Sequence, residues 1–395
     1  MKNFIFISPN FPANYWKFCR ELQNDGFRVL GIGDEAYDCL TADLKGSLTE
    51  YYKVSNLENY DEVYRAVAFF TFKYGKIDFI ESNNEYWLER DALLRTEFNV
   101  ATGFKKTDVK KIKYKSAMKK FYKKAGVKTA RFCIAKSLAV CEKFIKEVGY
   151  PVIVKPDNGV GASDTHKIND DTELAAFLKR KGRKSYIMEE FIDAEVNSYD
   201  AIIDSKGNPV FETGNITPKS LMDVVNDGDS CLYYIVNELA SDVRALGRKT
   251  VKAFKVKSRF VHFEFFRLLS DQKIGKKGDV VALEVNMRPA GGITPDMMNY
   301  ANSTDVYKIW ADTMAFDSTL VSLGEKYFCA FAGRRDGREY VYSEQDIVDR
   351  FRNCVKLIQR VPDVLAGTMG NVMYVANFKT KEEMDEFYSE ITATK

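Results

Sequence analysis

The stretch that decides the fold is Val280-Val-Ala-Leu-Glu-Val-Asn-Met-Arg-Pro-Ala-Gly-Gly292, an apolar strand that ends in a glycine loop. Side chains of a strand point alternately to its two faces, so Glu284, Asn286 and Arg288 lie on the same face. Carboxylate and amide oxygens are the ligands that hard divalent cations prefer, and a guanidinium binds phosphate through paired hydrogen bonds. The stretch therefore predicts a site for a metal ion and a phosphate.

A second acidic strand begins upstream at Arg259, and the loop between the two strands contains the Asp, Lys and Gly residues typical of a hairpin. A hairpin symmetric about this loop places Glu264 opposite Glu284. The same register places His262 opposite Asn286. Two facing carboxylates repel each other, and a magnesium ion between them would remove the conflict. A slip of one or two residues would instead leave them as ordinary solvent-facing carboxylates.

Length and composition indicate a globular protein of two or three domains. The 395 residues exceed what one hydrophobic core usually supports, and no low-complexity segment interrupts them. No apolar run is long enough to span a bilayer, and Met1–Asn10 reads as a short strand without the apolar core of a secretion signal. We therefore expect a cytoplasmic protein that does not bind a membrane.

The cysteines and histidines bear on a zinc site, and the lysines bear on a nucleic-acid site. None of the seven cysteines forms a Cys-x-x-Cys pair and only two histidines occur, so a structural zinc site has no ligands. The net charge is +3, but ten of the twenty residues from Lys105 to Lys124 are lysines. Few aromatic side chains accompany them, which favours a solvated helix face over a nucleic-acid site.

Strands and helices alternate along the first hundred residues, which predicts a small parallel βαβ sheet. Gly31-Ile-Gly33 lacks the third glycine of a dinucleotide loop, so we interpret it as a turn. The predicted elements are Phe4–Ile7, Asn14–Asp25, Phe27–Gly31, Tyr60–Tyr74 and Ile77–Ile80.

The middle of the chain carries a glycine-rich loop, Pro156–Asp164, behind the buried strand Val152–Lys155. Glycines let backbone N–H groups approach phosphate oxygens, and Lys155 supplies a cation beside them. A plain hairpin connection is the alternative. The further predicted strands are Ser185–Ile192, Asn197–Asp204, Pro209–Glu212, Tyr327–Ala332 and Val372–Asn377. The further predicted helices are Asp171–Lys181, Tyr234–Phe254, Glu344–Gln359 and Lys381–Glu390.

The order of these motifs resembles that of the ATP-grasp superfamily. In chain order they are Tyr114–Val127, Pro151–Pro156, Tyr186–Ile192, Phe263-Glu264 and Glu284–Arg288. The resemblance covers nearly the whole chain and is closest to the branch of carboxylate–amine ligases and of biotin-carboxylase-like and carbamoyl-phosphate-synthetase-like proteins.

The resemblance implies an α/β and α+β architecture. The implied parts are a Rossmann-like pre-ATP-grasp domain (1–105), an ATP-grasp domain of two α+β subdomains (106–320) and a small C-terminal α+β domain (321–395). The ATP-grasp domain would comprise a linker helix and first strand region (106–150), a glycine-loop subdomain (151–215) and a metal-site subdomain (216–320). ATP is expected between the Pro151–Asp204 sheet and the Val261–Asn286 sheet.

The resemblance also implies ATP and Mg²⁺ or Mn²⁺ as cofactors. It assigns the metal to Glu264, Glu284 and Asn286, and these residues together with Arg288, which would hold the transferred phosphoryl group, form the catalytic set. The nucleotide-binding residues it implies are Lys115, Lys155, Gly159, Gly161, Ala162, Ser163, Glu189, Glu190, Phe191, Ile192 and Glu195. Glu189 and the backbone of Glu190 to Ile192 match the family's hinge, the segment that hydrogen-bonds adenine. The family usually has Gly-x-Glu after this hinge, whereas this chain has Asp193-Ala-Glu-Val196. Glu195 therefore binds the ribose only if the turn is one residue shorter.

The substrate side has fewer signals. His262 either faces the acceptor substrate or is a core histidine bonded to a backbone carbonyl. Glu85 follows a parallel strand at its carboxyl end, where it either lines the substrate or belongs to a helix start. Gly291 and Gly292 complete the candidate substrate residues.

The activity implied by the resemblance is that of an ATP-dependent ligase. It would join a carboxylate to an amine through an acyl phosphate and release ADP and phosphate. The expected partners are small-molecule carboxylate and amine substrates, no nucleic acid and no membrane, and a homodimer is left open. Two alternatives use the same apparatus: a bicarbonate-dependent carboxylase of the biotin-carboxylase-like type and a non-catalytic nucleotide-binding protein. Retention of both acids, Asn286 and Arg288 counts against the second.

Overall fold

The structure is a computed structural model that describes residues 1–159, 164–219 and 229–395. Its named strands form a four-stranded parallel sheet, a four-stranded antiparallel sheet and a nine-stranded antiparallel sheet. Within these ranges, no helix combines the length and the apolarity needed to cross a membrane.

The N-terminal sheet has the parallel order β3-β2-β1-β4. All five residues of β1 are buried, because helices cover both faces of the sheet. This βαβ arrangement agrees with the prediction from the sequence. Its elements are β1 (Asn3–Ile7), α1 (Trp16–Asn24), β2 (Arg28–Gly33), α2 (Ala42–Gly46), β3 (Glu50–Lys53), α3 (Tyr60–Tyr74), β4 (Phe79–Glu81) and α4 (Leu88–Glu97).

Two short helices lead from this sheet into the smaller antiparallel sheet, whose order is β5-β8-β6-β7. Val152, Val154 and Met188 point from it into a separate small core under two helices. The elements are α5 (Val109–Lys113), α6 (Lys115–Lys124), β5 (Phe132–Ile134), α7 (Leu138–Val148), β6 (Val152–Pro156), β7 (His166–Ile168), α8 (Asp171–Arg180) and β8 (Tyr186–Glu190).

The large sheet begins with β9 (Ala194–Ile203), which was expected beside the glycine-loop strands but pairs along its whole length with β13 (Arg259–Leu268). The predicted helix Tyr234–Phe254 is wrong in its first part, because Leu232–Ile235 is a strand of aromatic and aliphatic residues. The remaining elements are β10 (Pro209–Thr213), β11 (Asn215–Thr217), β12 (Leu232–Ile235), α9 (Ser241–Phe254) and β14 (Val280–Asn286).

The C-terminal strands extend the same sheet, because β15 pairs with β12. The predicted helix Glu344–Gln359 ends at Arg350, and the following residues form a strand that pairs with β17. The division at residues 320 and 321 stays a prediction. The elements are α10 (Thr294–Asn302), α11 (Val306–Phe316), β15 (Phe328–Arg334), α12 (Glu344–Arg350), β16 (Val355–Arg360), α13 (Asp363–Met369), β17 (Val372–Phe378) and α14 (Lys381–Thr392).

One face of the large sheet is covered by α6 and α9, which bury Tyr122 and Phe254 against Tyr199 and Phe263. A Cβ at Gly247 would lie 2.2 Å from the Tyr199 ring, so a glycine is needed for α9 to pack this closely. The opposite face carries the polar side chains of the candidate site.

Candidate active site

The hairpin β13–β14 brings the predicted acids together. Glu264 pairs with Glu284, and His262 pairs with Asn286, which is the register predicted from the sequence. Beyond Glu284 the register shifts, so Leu283 is an extra residue in β14. The bulge thus keeps the acids in line while the turn end of the hairpin is displaced by one residue.

Each of the facing carboxylates has a cation of its own. Lys115 Nζ lies 3.2 Å from Glu284 Oε2, and His262 Nε2 lies 3.1 Å from Glu264 Oε1. Burial alone would favour the neutral form of Glu284, but Lys115, Lys155 and Arg288 hold its pKa below the usual value. Glu284 is therefore stabilised in its charged form, the form that can bind a divalent cation.

His262 lies between two carboxylates. Its Nδ1 is 2.8 Å from Asp200 Oδ1, and Asp200 is fully buried on β9. Burial opposes the charged form of His262, but Asp200 and Glu264 raise its pKa to about 9. At neutral pH both ring nitrogens therefore donate a hydrogen bond to a carboxylate. Its partners are acids and not the backbone carbonyl considered from the sequence.

The donors on this face fit a hard divalent cation. Glu264, Glu284 and Asn286 lie on neighbouring strands and offer oxygen atoms only. In the described part of the chain, no group of three or more His, Cys, Asp or Glu side chains is arranged for a metal. A divalent cation held by these three residues would take its other ligands from phosphate oxygens and water, which is the usual environment of protein-bound Mg²⁺.

A second charged cluster lies beside the acids. Glu189 on β8 is 3% exposed and pairs with Lys155 Nζ at 2.7 Å and Lys119 Nζ at 2.5 Å. Although burial raises the pKa of Glu189, the two ammonium groups lower it to about 2. Glu189 was expected to bind adenine, and the structure shows its carboxylate already shared between two lysines.

The two lysines of this cluster differ in charge balance. Burial lowers the pKa of Lys119, which has Glu189 as its close acidic partner and the like charge of Lys155 nearby. Lys155 is also buried, but Glu189, Glu284 and Glu264 all act on it, and its pKa is raised on balance. Lys155 is thus the firmly charged cation at the centre of the site, while Lys119 depends on Glu189.

The remaining nucleotide candidates are spread around this cluster. The Glu190 carboxylate accepts hydrogen bonds from Arg131, on the face of β8 opposite Glu189. Glu195 accepts a hydrogen bond of 3.1 Å from Asn197 at the start of β9. Phe191 is 37% exposed and Ile192 is buried in the link between β8 and β9. The carbonyl of Gly159 accepts a hydrogen bond from Lys115, and Gly161, Ala162 and Ser163 lie outside the described residues.

Two further candidate residues, Arg288 and Glu85, lie close together. Arg288 Nε lies 4.0 Å from Glu85 Oε2, so Glu85 lies close to the end of the strand that carries Glu284 and Asn286. The other carboxylate oxygen of Glu85 pairs with Lys113 at 3.0 Å. A Cβ at Gly291 or Gly292 would meet no heavy atom within 4 Å, so the glycine loop after Arg288 borders open space.

A buried ion network supports Arg288 from behind. Arg259 donates a 2.6 Å hydrogen bond to the carbonyl of Met287 and pairs with Glu81 at the end of β4. Glu81 also pairs with Arg95 at 2.9 Å. The network therefore fixes the residue before Arg288 to the edge of the N-terminal sheet.

Sequence reasoning missed three of these residues: Lys119, Asp200 and Arg259. Signals for two of them were present. Lys119 lies one helical turn after Lys115 and so shares its face of α6. Asp200 lies two residues after Ser198 and so on the same face of its strand, which marks a polar face. Arg259 carried no signal, because its partners lie far away in the chain.

Comparison with known proteins identifies the central part of the chain. Residues 112–292 match the family model described as an ATP-grasp domain. This segment is an ATP-grasp domain. The resemblance deduced from the order of the motifs is confirmed, and the matched range contains both the lysine cluster and the acid pair.

Sequence relatives of this chain include large chains of carbamoyl phosphate synthase. The one from Sulfurisphaera tokodaii is 29% identical over 125 residues, which are 31% of this chain and 12% of that protein. The one from Halobacterium salinarum is 28% identical over 189 residues, or 47% of this chain and 17% of that protein. The chain spans less than a fifth of the length of either relative.

Solved structures extend the likeness over the whole chain. An L-amino acid ligase from Bacillus licheniformis has a TM-score of 0.72 and 16% identity, covering 99% of this chain and 97% of that one. The biotin carboxylase domain of a Hydrogenobacter thermophilus 2-oxoglutarate carboxylase, solved with MgADP, ADP and bicarbonate, has a TM-score of 0.69 and 14% identity, covering 100% and 90%. These identities establish the fold alone, and they confirm the predicted ATP-grasp architecture.

Proposed function

We propose that this protein is an ATP-dependent ligase that joins a small carboxylate to an amine, with ADP and phosphate as products. The observation that carries the proposal is the gathering of cations around one acid pair. Lys115 contacts Glu284 directly, and Lys155 and Arg288 are near enough to lower the pKa of its carboxyl. Such a site can bind a polyphosphate and a divalent cation together.

Individual residues take the following roles in the proposal. Lys115 and Lys155 bind the phosphates of ATP, and the backbone of Glu190–Ile192 binds adenine. Glu195 is the candidate for the ribose. The metal, Mg²⁺ or Mn²⁺, would be held by Glu264, Glu284 and Asn286. When bound, it neutralises charge that develops on the β- and γ-phosphate oxygens.

The reaction proceeds in two substitutions. A carboxylate oxygen attacks the γ-phosphorus, the bond to the bridging oxygen breaks, and ADP leaves. Arg288 holds the resulting acyl phosphate through paired hydrogen bonds. The amine then attacks the acyl carbon, phosphate leaves with the oxygen that came from the carboxylate, and the nitrogen loses a proton. Holding both partners beside Arg288 makes the second step effectively intramolecular.

The comparisons support this proposal without naming a substrate. The similar proteins include a carbamoyl phosphate synthase and an L-amino acid ligase, and these names are those of the similar proteins alone. The biotin carboxylase domain, which was solved with bicarbonate, has a similar fold. A bicarbonate-dependent carboxylase is therefore the second candidate.

The test follows the carboxylate oxygen. A carboxylate labelled with heavy oxygen should deliver label to inorganic phosphate, and ADP should be the nucleotide product. Label in AMP would mean adenylation and would refute the acyl phosphate. Turnover that requires bicarbonate, with label passing from bicarbonate to phosphate, would establish the carboxylase instead. Tight ATP binding without turnover for any carboxylate–amine pair would favour the non-catalytic alternative.

The setting of the reaction is also part of the proposal. We place the protein in the cytoplasm, with small-molecule substrates as its partners and no role for nucleic acid. Sedimentation would test whether the protein forms a homodimer.

A further inference from the structure

A cavity lies beyond the glycine loop that follows Arg288, outside the ATP and metal residues described above. Its volume is about 300 Å³, and it forms where three parts of the chain meet. These parts are the loop after β1, the start of α10, and the C-terminal strands with α13. Ligands of parallel sheets collect at the carboxyl ends of the strands, which is where the loop after β1 lies.

The walls of this cavity are apolar. They include the side chains of Phe11, Ile293, Leu357, Leu365, Met369 and Met373. A dry cavity of about 150 Å³ lined by such groups is large enough for benzene. The present cavity has about twice that volume and can hold a longer alkyl chain or a larger aromatic group. Its two methionines can adapt to different shapes.

The carboxylate at the cavity, that of Asp296, is already partnered. Asp296 accepts hydrogen bonds from Asn14 at 2.7 Å and Tyr307 at 2.8 Å, and its other oxygen pairs with Lys17 at 2.5 Å. The carboxylate is thus neutralised and its hydrogen-bonding capacity is largely used. A ligand group that enters the cavity gains by burying apolar surface and not by binding charge.

The glycine loop connects the cavity to the reacting centre. Gly292 lines the cavity, lies four residues after Arg288, and borders open space as Gly291 does. Asn14 fixes the loop through a 3.1 Å hydrogen bond to the carbonyl of Gly292. Burial raises the pKa of the neighbouring Tyr15 hydroxyl, and Arg288 is near enough to oppose that rise. A molecule held by Arg288 can therefore extend over bare backbone into the cavity.

We propose that this cavity binds the apolar substituent of the carboxylate substrate, so that the enzyme selects carboxylates with bulky alkyl or aromatic groups. This proposal rests on the proposed ligase function for the identity of the molecule at Arg288. It adds the chemical class of that molecule. The substituent passes over Gly291 and Gly292, and Leu365 on α13 closes the far wall.

The test measures binding of two matched series to the full chain by calorimetry, with Mg²⁺ and a non-hydrolysable ATP analogue present. One series runs from propionate to hexanoate, and the other consists of the corresponding 2-amino acids. Each methylene buried in the cavity should tighten binding about fourfold. In the series that fits the site, the six-carbon member should therefore bind roughly sixty-fold more tightly than the three-carbon member.

A pair of variants on α13 locates the effect. Leu365→Trp fills the cavity and should abolish the gain with chain length, while binding of the three-carbon member is retained. Val364→Trp is the matched control, because Val364 is the adjacent residue and is 77% exposed. Its chain-length dependence should equal that of the wild type, and both variants should keep the wild-type circular dichroism spectrum.

The outcomes separate this proposal from the ligase proposal. Affinity that does not change with chain length, no binding of any member of either series, or equal behaviour of the two variants would overturn the cavity assignment. ADP release is scored separately, in parallel mixtures that contain ATP in place of the analogue, together with an added amine. Chain-length-dependent binding without ADP formation would refute the ligase and retain the cavity. ADP formation without chain-length dependence would retain the ligase and refute the cavity assignment.

Discussion

Replacing Glu189 by glutamine should destabilise the fold markedly, because Glu189 is the shared partner of two lysines. The variant keeps the shape of the side chain but leaves the ammonium groups of Lys119 and Lys155 buried without their shared anion. In the wild type those groups lower the pKa of Glu189 from 4.5 to about 2, which corresponds to about 3 kcal/mol of stabilisation. Removing one partner of a buried ion pair typically costs ~3–5 kcal/mol, so both arguments give the same magnitude.

The effect of this substitution should depend on pH with a definite sign. A carboxyl group whose pKa is lower in the folded state stabilises the fold fully above its unfolded pKa, here 4.5. That contribution is lost as the pH falls towards the folded value of about 2. Urea unfolding of the wild type and Glu189→Gln should therefore differ by about 3 kcal/mol at pH 7, and the difference should shrink below pH 4.5.

Two further variants make the experiment decisive. Glu190→Gln is the matched control, because Glu190 lies on the same strand but pairs with Arg131, whose side chain is 43% exposed. Its loss should be smaller, since Arg131 stays in contact with water. Adding Lys119→Met to Glu189→Gln should recover part of the loss by removing one of the two unpaired charges. Equal losses for Glu189→Gln and Glu190→Gln, or a loss for Glu189→Gln that does not vary with pH, would refute the reasoning.

Three other predictions follow from the same site. Glu284→Gln should lower turnover by about a hundredfold or more with an unchanged circular dichroism spectrum, and full ADP release by this variant would remove the metal assignment. Lys155→Ala should chiefly weaken binding of an ATP analogue in calorimetry, and wild-type affinity would count against the phosphate role. Arg259→Met should destabilise the fold by ~3–5 kcal/mol in urea unfolding, because Glu81 loses a buried partner and the carbonyl of Met287 loses its donor. An unchanged unfolding midpoint would show that this network is not needed.

The hairpin shows how far the sequence could predict the site. Alternation along two strands and the symmetry of their loop were enough to place Glu264 opposite Glu284. The extra residue Leu283 was not predictable, because a bulge is selected by the packing of neighbouring strands and not by local composition. The acids were found because the bulge lies on the turn side of them.

The errors in predicting the fold arose where a strand lies close to a helix along the chain. Val355–Arg360 contains the β-branched residues Val355 and Ile358, which favour a strand, but it follows the capped helix α12 closely and was predicted as its continuation. Tyr234 and Ile235 were placed at the start of a helix, although the aromatic and aliphatic residues of Leu232–Ile235 favour a strand. In both cases pairing with a distant strand decided the outcome, and single-sequence patterns do not contain that information.

Cluster residues were predictable only where they shared an element with a recognised motif. Lys119 lies on the same helix face as Lys115, so its burial could have been expected. The partnership of Glu189 with two lysines required the docking of α6 against β8, which depends on tertiary packing. The sequence therefore predicted the reacting strand better than the charges that support it.

The continuity of the nine-stranded sheet determines where this chain can be shortened. β12 is held by β11 on one side and β15 on the other, and Tyr233 stacks on Phe331 with ring centroids 4.7 Å apart. A protein cut after residue 320 would leave β12 as an open edge with an uncovered aromatic row. Unprotected edges of this kind pair with other copies. The C-terminal segment thus acts as a cover against self-association, and a minimal fragment for study has to include it.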